Sequence, residues 1–171
     1  MRTSLATAHA SVTDAPQGRA AMPQRSASFL PCACAADDWS IGCQFAEMQQ
    51  AFRTHGGLAR VQDLLALFKP ADGANLATLA RWIVKREVVC FDWQQQTWFP
   101  LFQLEAGKLL LKPPLRTVLA ELSPVFDHWE IANWFARANP WLADSSPVET
   151  FATDMPAVLY AARTERFIAN G

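Results

Sequence analysis

Three histidines, four cysteines and two small clusters of cations are the groups in this chain that could do chemistry. His9, His55 and His128 stand far apart. None forms the His-x-x-x-His spacing of a zinc helix, and there is no nucleophile elbow and no glycine-rich phosphate loop. Cys32-x-Cys34 with Cys43 offers three thiolates, but the spacing fits no standard metal site. With Cys90 they read as free thiols of a reducing cytoplasm. The acidic residues fall mostly at helix caps or on polar faces. The expectation is a protein that is not an enzyme and carries no metal or cofactor.

The cations are more informative. In "LATLARWIVKR", a period of 100° per residue puts Thr78, Arg81 and Lys85 on one outward face. Leu76, Leu79, Ala80 and Ile83 form the opposite, buried side, with Trp82 at one edge and Val84 at the other. A helix, a turn, this helix and then a hairpin is a winged-helix order, in which Thr78, Arg81 and Lys85 would contact promoter DNA. The alternative is an ordinary solvated face. The linker "KPADGAN" is longer than the usual tight turn, and a net charge of −1 excludes broad attraction to nucleic acid or anionic membrane. No apolar run approaches the roughly 18 residues of a membrane span. Near the C-terminus, Leu159, Ala162, Arg163 and Arg166 share one face of the last helix, and Ala157, Tyr160 and Phe167 share another.

The elements that position these groups follow from pattern. Residues 1–38, rich in Ala and Ser with Arg2, Arg19 and Arg25, read as a disordered leader with little to bury. A helix over Phe45–His55 stops at Gly56-Gly57. "LARVQDLLALF" reads as a second helix, with Leu58, Val61, Leu64, Leu65 and Phe68 on one arc. The period then changes: "EVVCFDW" and "TWFPLFQL" read as a hairpin, with Pro100 placing its second strand at an edge or ending it. "GKLLL" adds some extended chain. Four mostly short helices follow, beginning with Leu115–Leu122. The next is "HWEIANWFARA", opened by an Asp127/Glu130 capping box, and the last runs over Met155–Ala169 behind an Asp154 cap. The fold class is mainly α with a small β-hairpin. A degenerate winged-helix-like unit, 39–112, precedes a helical unit, 113–171.

Aromatic residues crowd Phe91 to Trp141. Trp93, Trp98 and Trp129 fit a core, whereas Trp134 and Trp141 suit an interface, where a partly exposed tryptophan anchors a partner. Asn139-Pro140 ends a helix, because proline is poorly compatible with its continuation. Trp141 and Leu142 then tuck back as an apolar plug, with Trp141 open to direct partner contact instead, and Ser146-Pro147 restarts the chain.

The stretch "DHWEIANWFARANPWLADSSPVETFATDMPAVLYAAR" resembles the toxin-binding domain of the Xre–MbcA–ParS antitoxin family. The likeness rests on Trp134, Asn139, Pro140, Leu142, Ser146, Pro147 and Val158, in that order. Upstream, Pro100 and Gln103 resemble that family's Pro-x-x-Gln element, and the likeness spans about Leu58 to Gly171. It implies a cognate toxin as partner, of the RES type or a related NAD-consuming class, and an antitoxin that often forms a homodimer. It also implies that the closing segment "ARTERFIANG" occludes the toxin's active site. The partner-binding residues would then be Trp134, Asn139, Trp141, Leu159, Arg163, Arg166, Asn170 and Gly171. The N-terminal helices do not clearly match a standard helix–turn–helix, which tells against promoter repression; the alternative function, resting on the winged-helix order, is a DNA-binding regulator without a toxin.

Overall fold

The computed structural model describes residues 36–64, 66 and 76–171. The leader through residue 35, with Cys32 and Cys34, and most of the linker after Leu64 lie outside the described residues, as do Leu65 and Phe68 of the expected second helix. The architecture is mainly helical with a small antiparallel sheet. In chain order the elements are α1 (Ala36–Arg53), β1 (Leu58–Arg60), α2 (Val61–Leu64), α3 (Leu76–Val84), β2 (Phe91–Trp93), β3 (Gln96–Pro100), α4 (Pro114–Leu122), α5 (His128–Ala136), α6 (Pro147–Thr150) and α7 (Met155–Asn170). Short 3-10 turns cover Leu101–Gln103 and Pro140–Leu142. No helix among the described residues is long and apolar enough to cross a membrane.

Three local expectations change. The first helix starts nine residues earlier than its apolar pattern, at Ala36 rather than Phe45. The helix expected from Leu58 begins as a strand. Leu58, Ala59 and Arg60 pair with Pro100, Phe99 and Trp98, so the hairpin becomes a sheet of order β1–β3–β2. Gly56 and Gly57 hold φ of 99° and 83°, which turns the chain onto that open edge. Third, β3 is the central strand, not an edge. Pro100 is tolerated because it is the last residue of the strand, where a missing N–H breaks no further ladder. The β2–β3 turn is Gln94-Gln95, both in the left-handed region at φ 49° and 61°, the backbone of a tight two-residue hairpin.

The extended chain before β2 explains how one sheet serves two apolar clusters. Val88 and Cys90 belong to one cluster and Val89 and Phe91 to the other, the alternation of a strand with both faces covered. Residues 87–90 nevertheless form no ladder. Gln103 takes that place: its Oε1 accepts from the Val89 N–H at 2.8 Å, and its Nε2 donates to the Val89 and Pro100 carbonyls, each at 2.8 Å. The side chain is fully buried. A glutamine amide carries both the donors and the acceptor needed, which is why this residue type fits the position.

The smaller cluster gathers Leu64, Leu79, Trp82, Phe99 and Leu109 beneath the sheet. Here α3 is rotated from the expected face: Trp82 is buried and Ala80 exposed, because the indole has far more apolar area to hide than a methyl group. The larger cluster joins Met48 and Phe52 of α1 to Leu115, Val118 and Leu122 of α4, to Ile131 and Phe135 of α5 and to Val158 of α7. It thus takes residues from both sides of Pro113. Phe102 is its hub, stacked on Phe52 at 5.6 Å and set against Phe135 at 5.0 Å and Phe151 at 5.5 Å. Each such pair contributes about 0.5–1.5 kcal/mol beyond the area it buries. Trp93, Trp98 and Trp129 pack against the same cluster, and the Trp129 Nε1–H donates to Gln44 on α1 at 3.0 Å.

Candidate functional site

The C-terminal part of the site begins with a capped helix. The Asp127 carboxylate accepts from the Glu130 N–H and Glu130 accepts from the Asp127 N–H, both at 2.8 Å, closing the capping box of α5. After α5 the chain folds around Asn139. Its side chain accepts from the Trp141 N–H at 2.9 Å, its carbonyl accepts from Leu142 and Asp144, and its N–H donates to Ser145. Ala143 and Asp144 hold φ of 51° and 62°, left-handed values that cost a non-glycine residue about 1–2 kcal/mol each. Asn139 is therefore the buried centre of a closed loop.

That loop divides the expected plug in two. Leu142 is buried against the main cluster, while Trp141 is turned outward and 46% exposed. The Trp141 ring meets the edge of Tyr160 at 6.4 Å. Asp154 caps α7 by accepting from the Ala157 N–H at 3.0 Å. Val158, Ala161 and Ala162 face the core, so at 100° per residue Tyr160, Thr164, Phe167 and Gly171 run along the opposite side. Tyr160 is 60% exposed, Phe167 81% and Ile168 58%, large areas for apolar side chains on one short helix.

The two arginines are not free. Arg163 Nε donates to Glu121 Oε1 at 3.1 Å, and Arg166 Nη1 donates to Glu121 Oε2 at 2.9 Å. The two guanidinium groups hold the Glu121 carboxyl below its ordinary value, so acid loosens the clasp between α4 and α7 only below the usual carboxylate range, while salt screens it at any pH. Leu159 is half-buried, and Asn170 Nδ2 donates back to the Arg166 carbonyl at 2.9 Å. Beyond Arg166, every residue to Gly171 is exposed.

Trp134 is half-buried, edge-on to Phe135 at 5.0 Å, and lines a groove of about 450 Å³ with Asn139, Arg137 and Glu165. The structure thus brings Trp134 and Asn139 together, and separately sets Trp141 against Tyr160. Tyr160, Phe167, Ile168 and Glu121 were not among the expected contact residues. The signal for the first two was in the sequence, since Ala157, Tyr160 and Phe167 share a face, but that face passes equally well for one packed inward. On α3, Arg81 and Lys85 are exposed, Thr78 is half-buried, and Val84 stands 82% exposed among them.

Cys90 and His128 come within 3.9 Å of each other. Burial, with Asp92 second and Arg86 opposing, pushes the Cys90 thiol up to about 11. A thiol so raised is almost wholly protonated near neutral pH and makes a poor nucleophile. Iodoacetamide at mildly alkaline pH should label exposed Cys43 in the native protein and spare Cys90 until denaturant is added, as read by peptide mass mapping. Rapid native labelling of Cys90 would mean that β2 opens readily. No group of three His, Cys, Asp or Glu among the described residues could hold a metal. No family model, curated protein or solved structure matches this chain.

Proposed function

We propose that the chain is a non-enzymatic antitoxin that acts in the cytoplasm by binding a RES-type or related NAD-consuming toxin and covering its active site. The observation that supports this best is the exposed outward side of α7, where Tyr160 lies against the exposed Trp141 and Phe167 and Ile168 stand exposed further along the helix. Exposed aromatic anchors set on a rigid element are what a protein partner buries most profitably. Past the Glu121 clasp, Phe167 to Asn170 continue the helix for about 6 Å with every residue exposed. A homodimer belongs to the same reading.

The test is cellular. A candidate toxin encoded beside this chain should deplete NAD when expressed alone, and co-expression of the full chain should restore it. Continued depletion with a soluble, folded chain present would end the antitoxin reading.

A second reading is a winged-helix regulator without a toxin, and one observation favours it. What supports it is the order α1, β1, α2, α3, β2, β3 with sheet order β1–β3–β2, together with Arg81 exposed on α3 and Lys85 exposed just past its end. In that case Arg81→Ala with Lys85→Ala should weaken binding to the protein's own promoter and lower the salt slope by about 2, roughly 0.9 per lost phosphate contact. If wild type fails to retard that fragment at low salt, this reading is finished.

A further inference from the structure

We propose that the notch where the C-terminal ends of α3 and α4 meet is a binding site for a phosphate group. The notch has a volume of about 460 Å³ and is lined by Lys85, Arg86, Glu87, Arg116 and Ser123, with Leu119 among its apolar walls. Three cations face one carboxylate. Arg116 Nη2 and Glu87 Oε2 satisfy each other at 3.1 Å, which leaves Lys85 and Arg86 in excess. The notch therefore carries net positive charge in a chain whose overall charge is −1.

Arg86 is built in rather than draped over the surface. It follows α3 in the left-handed region, φ 52°, where glycine would be the unstrained choice. Its Nη1 donates to the Ser123 carbonyl at 2.9 Å and its Nη2 to the Phe126 carbonyl at 2.8 Å. Those bonds fix the guanidinium plane and cap the end of α4, so the negative end of that helix is already covered. Both acceptors are formally neutral, so no carboxylate pairs the charge and the helix end offsets it only in part.

Two donors remain unused. Arg86 Nε and Ser123 Oγ are buried and have no hydrogen-bond partner, and both residues line the notch. A stranded buried polar group is destabilising, so two in one place require an explanation. An oxyanion accepts from an Nε–H and a hydroxyl together, and because both atoms are covered from solvent, rotation of Ser123 about χ1 is what opens them to the notch. Excess positive charge beside donors on both Arg86 and Ser123 favours an oxyanion such as phosphate over a neutral ligand. The site shares no residue with the surface assigned to the toxin, and it stands whether or not a toxin is found.

The test uses the full chain, labelled with ¹⁵N, and follows the Arg86 Nε–H resonance. Inorganic phosphate should shift it saturably, where chloride at equal ionic strength does not. Lys85→Ala and Ser123→Ala should each weaken that response by about tenfold, the effect of one charge-assisted bond, with the rest of the spectrum unchanged. Arms with a mononucleotide and with a short DNA duplex distinguish the source. A shift of the same resonance by duplex at far lower concentration assigns the site to a nucleic-acid backbone. A response to the small phosphates alone assigns it to a free phosphate or nucleotide. The proposal is overturned if none of the three ligands moves the resonance, or if phosphate moves it equally in wild type and both variants.

Discussion

In the double variant Tyr160→Ala/Phe167→Ala, affinity for a cognate toxin should fall at least roughly 30- to 700-fold, the range set by losing one hot-spot side chain worth about 2–4 kcal/mol. Both rings lie on the outward side of α7, opposite Val158, Ala161 and Ala162, so their removal leaves no cavity. Phe167→Ala should alter stability by about 0.5 kcal/mol or less, and loss of the Tyr160–Trp141 edge contact by about 0.5–1.5 kcal/mol, so the melting temperature should fall by only a few degrees. The arginines are expected to matter less directly. Arg163 and Arg166 already share Glu121, and a partner that recruits them must first compete with that carboxylate. Calorimetric titration with a purified toxin, alongside thermal melts, makes the measurement. Full affinity in the folded double variant would move the docking surface off α7, with the groove beside Trp134 and Asn139 next in line.

The second large effect concerns folding. Gln103→Leu should destabilise the protein by about 3–9 kcal/mol, because a side chain of similar size strands one N–H and two carbonyls at about 1–3 kcal/mol each. That is a large share of a typical total stability of about 5–15 kcal/mol. The three lost bonds are those to Val89 and Pro100, which anchor the unladdered chain between the two clusters. Urea denaturation followed by tryptophan fluorescence measures the change. A loss below about 1 kcal/mol would mean that water reaches these groups and that the amide is dispensable.

Where caps and local periodicity decide the structure, the sequence alone predicts it closely. The Asp127/Glu130 box, the Asp154 cap and the stop at Gly56-Gly57 are short-range chemistry and stand where expected. Leu58–Arg60 was opaque for the opposite reason. Those residues continue a helical arc into Val61 and Leu64, and they become a strand only because β3, some forty residues on, offers an open edge. Trp141 and Leu142 illustrate the same limit at a single side chain. Both are apolar, and only the loop closed by Asn139 decides which faces inward. The notch at Arg86 left no trace in local pattern. It needs residues 85–87 beside residues 116–124, and orphaned donors have no sequence signature.

Gln44 on α1 bonds to Trp129 on α5, and Phe52 reaches the aromatic group around Phe102 and Phe135. During synthesis α1 leaves the ribosome about 40–60 residues ahead of the sheet and Phe102, which cover part of its apolar side, and about 80 residues ahead of α5, a wait of roughly 4–16 s at about 5–20 residues per second. The helix is only partly covered in that interval, and its packing closes once α5 emerges. A pause or truncation before α5 releases a nascent chain with a half-covered helix, a substrate for chaperones and proteases rather than a folded half.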